Sequence, residues 1–210
     1  MKIALRILLL AAIAVLLYMC VMSIMVNIIF EKEHEKREKE IVDRLIVIRS
    51  VQNGYRNMFG SYAGSFADLQ QFLNEDSIAY LVKEGELTDD QLKSGMTERE
   101  AVAKGIIIRD TTWVLARDTL LPKGFDVSSI GRVPGFEKFT FEIDTATLTS
   151  SAGYIIPVFE VGVPYDVFLA DLDKQLLINL KDRAHKLKRY AGLRVGSVRE
   201  INNNAGNWEF

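Results

Sequence analysis

"ILLLAAIAVLLYMCVMSIMVNIIF", residues 7–30, holds no charged residue, and its one strongly polar member, Asn27, stands near its end. At about 1.5 Å of rise per residue, a helix of this length spans roughly 36 Å. That is enough to cross a bilayer core of about 30 Å with some tilt. A secretory signal carries an apolar region of only ~7–15 residues and then a small-x-small cleavage site; none follows here. "LYMC", residues 17–20, has the outline of a lipoprotein box. Met19 takes the place of the small residue, however, and the apolar run continues past Cys20. The run therefore reads as a membrane anchor, with Ile7, Leu10, Leu16, Tyr18, Ile24 and Phe30 as anchor residues.

Its flanks bear on orientation. Residues 1–6 form a short basic tail with Lys2 and Arg6, whereas "EKEHEKREKE", residues 31–40, is dense in both signs. A strict Lys/Arg count favours the second flank as the cytoplasmic one. A short basic tail before a long first apolar segment is the layout of a signal anchor, which carries the following domain across. The expectation is a single-pass protein of the cell (inner) membrane, N-terminus inside, its C-terminal head periplasmic or extracytoplasmic. The alternative is an anchor that holds a cytoplasmic head.

Helical periodicity continues beyond the run. Ile41, Ile48 and Tyr55 recur every seven residues; Arg44, Val51 and Met58 lie three further on, and Leu45 and Phe59 flank the stripe. Glu33 can reach Lys36 or Arg37, and Glu35 can reach Lys39, at helical spacing. No proline or glycine interrupts residues 1–53. One helix is expected over about 4–58, roughly 80 Å long. Its part over 31–58 reads as a stalk, polar all round at first and apolar on one face in its last four turns. That face is expected to pack on the chain's own head through Ile41, Leu45, Ile48, Val51, Tyr55 and Phe59, with Tyr62 and Leu69 beyond the helix. A coiled-coil partner is the alternative. It has fewer than three clean heptads in its favour, and Arg44 interrupts its seam.

"VQNGYRNMFGSYAGSFADLQQFL", residues 51–73, mixes three glycines with Tyr55, Phe59, Tyr62, Phe66 and Phe72. Glycines at 60 and 64 permit left-handed backbone and end the helix. "SFAD" has the spacing of a capping box, Ser65 with Asp68, ahead of Leu69, Phe72 and Leu73. The chain thus leaves a long helix, turns tightly and enters a short helix, with aromatic rings filling the junction. Gln52, Tyr55, Gly60, Tyr62, Ser65 and Leu69 form a pattern that resembles the helix end of type IV pilins and type II secretion pseudopilins. The resemblance implies a long N-terminal helix that spans the membrane and packs its second half on a β-sheet. That family is cleaved after a glycine, before a segment whose fifth residue is glutamate. Here no glycine precedes Asn53, and residues 1–30 contain no glutamate. Uncleaved single-pass subunits of secretion and pilus-assembly platforms share the same order of parts.

The rest of the chain, 59–210, reads as an α+β head with an antiparallel sheet. Short helices are expected over 76–85, 88–95 and 97–105, the last with a capping box of Thr97 and Glu100. Strands are expected over 106–109 and 111–119, and residues 122–135 read as a loop with a turn of helix. Alternation from Phe139 through Ile143 marks a further strand. Residues 150–153 make a hairpin into a strand containing Pro157, which is an edge or bulge signal. A helix runs from Asp173 with Leu176, Leu177, Leu180, Ala184 and Leu187 on one face. "GLRVGSV", residues 192–198, is expected to add a last strand, and Trp208 in the polar tail is expected to cover the sheet, with contact to a partner as the alternative.

Composition limits the chemistry. The net charge of −2 and pI near 5.8 leave no basic surface for nucleic acid. The lone Cys20 lies within the apolar run. Two histidines, His34 in the charged segment and His185 among lysines, read as solvated and form no zinc set. No phosphate-binding loop, nucleophile elbow or dinucleotide fingerprint occurs. Asp171 with Asp173, and Asp89 with Asp90, are acid pairs of the kind that cap helices, and Arg109 with Asp110 reads as a structural pair. No catalytic, cofactor or metal site is expected. Two functions fit: a non-enzymatic structural or assembly subunit of pilin-like or secretion-platform type, or a membrane-anchored extracytoplasmic binding or regulatory module. Its partners would be the lipid bilayer and other envelope proteins or further copies of itself.

Overall fold

The computed structural model describes residues 2–84, 88, 93, 95–106 and 108–209. Helix α1, Lys2–Phe59, is unbroken over 58 residues. Gly60 ends it at φ +78°, a left-handed conformation that costs a residue without Cβ little, and its N–H donates to the Arg56 carbonyl at 2.8 Å. Gly54 lies inside the helix for a different reason. A Cβ there would come within 2.5 Å of Leu120 Cδ1, so the missing side chain lets Leu120 reach the helix backbone.

Contacts divide the chain into two compact units, one of residues 1–49 with 130–210 and one of residues 50–129. The segment 59–210, read as one head, is shared between them. In the second unit α2, Phe66–Glu75, starts at Ser65, whose hydroxyl oxygen accepts the Asp68 N–H at 3.2 Å and donates to the Asp68 carboxylate at 2.8 Å. Its apolar face buries Leu69, Phe72 and Leu73.

Strands β1, Ser77–Glu84, and β2, Ile108–Leu115, pair antiparallel from Ser77↔Leu115 to Glu84↔Ile108. Residues 77–84 are thus a strand and not the expected helix. Ile, Tyr and Val favour extended backbone, and a partner strand of equal length is present. Between the strands α3, Glu98–Ala103, carries the complete capping box. The Thr97 N–H donates to the Glu100 carboxylate at 3.1 Å, and the Glu100 N–H donates to Thr97 Oγ1 at 3.4 Å. The helix expected over 88–95 falls mostly outside the described residues. The strand expected over 111–119 stops at Leu115. The Ala116 N–H bonds the Asp76 carbonyl at 2.9 Å, and the chain turns into α4, Ala116–Leu120. A single 3-10 turn follows at Val127–Ser129.

The first unit holds the larger sheet. A short pair, β3 at Arg132–Val133 and β4 at Phe136–Thr140, precedes it. β5, Glu142–Thr149, β6, Ile155–Pro164, and β7, Gly192–Gly196, then form an antiparallel sheet in the order β5-β6-β7. Phe159, Val161 and Val163 of β6 alternate onto one buried face, continued by Leu193 and Val195 of β7. Pro157 pairs with Thr147 of β5, but β7 reaches only as far as Glu160. The proline's second edge is therefore open and its missing N–H breaks no ladder. Helix α5, Tyr165–Phe168, follows β6 directly. Helix α6, Lys174–Lys186, is capped by Asp173, which accepts the Leu176 N–H at 3.0 Å. Of its expected face Leu177 is buried, whereas Leu187 is exposed because the helix ends one residue before it. The tail adds to the free side of β7 through Gly206, bridged to Val195, and through Asn207, whose amide meets the Arg194 N–H and the Gly192 carbonyl. Trp208 folds half-buried against Gly206. Helices and small antiparallel sheets together make this an α+β protein, built around one long N-terminal helix.

Candidate functional site

α1 is the helix among the described residues that is long and apolar enough to cross a membrane. Ile7, Leu10, Leu16, Tyr18 and Ile24 are each 61–66% exposed on it. Such a continuous apolar surface is larger than the patches soluble monomers expose and is compatible with a transmembrane or signal anchor. Phe30, expected as a sixth anchor residue, is only 4% exposed. The apolar cylinder therefore ends at Ile29, and one face of the helix is covered from the next residue onward.

Four residues further, His34 packs between rings, 6.0 Å from Phe30 and 5.9 Å edge-on from Tyr165 of α5. It is not the solvated residue expected from its charged neighbours, because its side chain is 12% exposed. Its buried Nε2 has no hydrogen-bond partner and stands 3.5 Å from the Glu38 carboxylate. Burial pushes the Tyr165 hydroxyl above its ordinary pKa, and the Glu38 charge adds to this. Arg37 closes the collar. Its guanidinium donates to both Asp171 oxygens at 2.6 and 2.8 Å and to the Phe168 carbonyl at 2.7 Å, and it lies 5.2 Å from the centre of the Phe136 ring. Glu33 approaches the same guanidinium at 3.7 Å. The polar middle turns expected as a bare stalk are thus clasped on one side from Phe30 upward. The face continues through Ile41, Leu45 and Ile48, all fully buried, to Arg49, which donates to Glu209 at 2.6 Å and to the Asn204 carbonyl at 3.3 Å.

The Arg37 hydrogen bonds hold the Asp171 carboxyl below its ordinary pKa and raise the guanidinium in turn. The resulting stabilisation is complete above about pH 4, where an unfolded aspartate is ionised, and is lost as pH falls through the lower folded value. Because Asp171 is 56% exposed, its size is about 1 kcal/mol or less. Asp171→Asn is expected to lower stability by that amount at pH 7 and to approach the parent as pH falls below about 4, as read by denaturant titration in detergent micelles. Asp173 is occupied as a helix cap, so the two carboxylates form no acid pair. Asp89 and Asp90 lie outside the described residues, as do the side chains of Arg109 and Asp110. Among the described residues no three of His, Cys, Asp or Glu gather as metal ligands.

The junction of the second unit accounts for the residues that carried the resemblance. Gln52, fully buried, donates from Nε2 to the Ala63 carbonyl at 2.9 Å and accepts the Ala63 N–H at 3.0 Å. Tyr62 is buried and its hydroxyl meets Arg56 at 3.1 Å. Tyr55 stacks 4.5 Å from Phe59 and 5.4 Å from Phe72. Val51 and Leu69 are buried, Tyr55 is half-buried and Phe59 is 49% exposed, so the stripe fades over the helix's last turn. In the first unit a half-open cleft of about 360 Å³ is lined by Lys188, Arg189, Tyr190, Arg194 and Asn202, among others. Arg194 there pairs with Glu160 at 3.2 Å. Burial, with the Glu142 and Glu160 charges, pushes the Tyr190 hydroxyl up to about 12.

No family model, curated protein or solved structure matches the chain.

Proposed function

We propose that this chain is a single-pass, membrane-anchored envelope subunit with a structural or assembly role, of pilin-like or secretion-platform type, and no catalysis of its own. The N-terminus lies inside, and the chain beyond the anchor lies on the extracytoplasmic side. The observation that carries the reading is the sharp change on α1 between Ile29 and Phe30, where an exposed apolar cylinder becomes a helix clasped on one face. Anchor and body then share one helix, as an assembly subunit needs in order to hold its body at a set place above the bilayer. Gln52, one of the residues behind the likeness to pilin helix ends, fixes the turn after the helix through its two bonds to Ala63.

A second reading, an anchored binding module, has the basic cleft beside Tyr190 in its favour. Cross-linking in native membranes followed by mass spectrometry separates the two. A ladder of self-products or a fixed heteromeric complex is expected. A monomer captured only with one transient partner would favour the module instead. Intact mass of the mature chain is expected to include residues 7–30.

A further inference from the structure

We infer that the first unit rests on the membrane surface, with α5 against the outer edge of the phospholipid headgroup layer and the turn after it just above. The inference depends on the anchor reading above and adds to it a docking face and its partner. Ile28 and Ile29 are each about half exposed and belong to the apolar cylinder, so the hydrocarbon boundary lies at or above them. Along α1 at ~1.5 Å per residue, His34 stands roughly 7–8 Å above Ile29 and Arg37 roughly 12 Å above it. The interfacial layer outside a bilayer core of about 30 Å is roughly 5–8 Å deep on each side.

Tyr165, whose ring meets His34, therefore falls at the outer edge of that layer, and Asp171, held by Arg37, stands a few ångströms beyond it. The chemistry of the face suits the place. Tyrosine is favoured at membrane–water interfaces, where one end is apolar and the other wet. Two carboxylates of this region are matched, Asp166 to Lys181 at 2.6 Å and Asp171 to Arg37 at 2.6 Å. These two pairs lower the charge that α5 and the turn after it present to zwitterionic headgroups. Arg49, by contrast, stands roughly 30 Å above Ile29, and the tail it binds at Asn204 is well clear of the layer.

The test uses the full chain in phosphatidylcholine vesicles with nitroxide quenchers placed either on the headgroup or at mid-chain. A fluorophore on the native Cys20 reports the anchor. In a Cys20→Ala background, fluorophores on Ala170→Cys and Ile201→Cys, both exposed positions, report the face and its distal control. Mid-chain nitroxide is expected to quench the Cys20 label. Headgroup nitroxide is expected to quench the Ala170 label strongly and the Ile201 label little, since only the first lies close to the headgroup layer. Equal, weak quenching at 170 and 201 with a quenched Cys20 label overturns the headgroup seat and leaves the anchor standing. An unquenched Cys20 label overturns the anchor, and the seat with it.

Discussion

Replacing Leu17 and Val21 together by arginine is expected to release the chain from membranes. Both residues lie near the centre of the apolar run, are exposed on α1 and share one face at i,i+4 spacing. An arginine at the centre of a spanning helix costs about 2.5–3.5 kcal/mol, so the pair costs roughly 5–7 kcal/mol. That is enough to turn complete insertion into almost none. The fraction of protein left in the membrane pellet after alkaline carbonate extraction measures it. Leu17→Ala with Val21→Ala, which keeps the run uncharged, is expected to remain in the pellet. A double-arginine variant that also stays there would count against a spanning α1.

The second large effect belongs to Gln52. Leucine there has similar volume and removes both hydrogen bonds to Ala63, leaving a backbone N–H and a carbonyl buried without partners. Each unmet group costs ~1–3 kcal/mol, so Gln52→Leu is expected to destabilise the second unit by about 2–6 kcal/mol. Hydrogen exchange resolves the effect by segment. Protection should fall across residues 61–75 while the β5-β6-β7 sheet keeps its own. Equal loss in both units would mean that the substitution acts globally and not through the turn. Glutamate at the same position tests the chemistry further, since it keeps an acceptor for the Ala63 N–H but offers the carbonyl no donor.

What the sequence made legible was local. α1 runs within two residues of its expected ends because a long stretch free of proline and glycine has no competing solution. Ser65, Thr97 with Glu100, and Asp173 all cap as read, since a cap involves residues only two or three apart. What escaped depended on distant partners. Residues 78–82 read "IAYLV", a run too short to separate a period of 2 from one of 3.6, and β2 begins only at Ile108. Phe30 looked like the end of an apolar run and His34 like part of a charged one; the Tyr165 ring that meets His34 comes 131 residues later in the chain. Arg37 showed its helical neighbour Glu33 but gave no sign of Asp171. Gln52 was marked by a resemblance, yet its bond to Ala63 became visible only once the turn was in place.

The first unit is discontinuous in sequence, and this has a consequence for how the protein is made. Residues 50–129, the 80 that complete the other unit, must leave the ribosome before the segment from Ile130 onward can cover Ile41, Leu45 and Ile48. At ~5–20 residues per second, that stripe waits bare for roughly 4–16 s on a helix whose lower half is already apolar. A nascent chain in this state invites aggregation, and a product truncated after residue 129 would stay in it permanently.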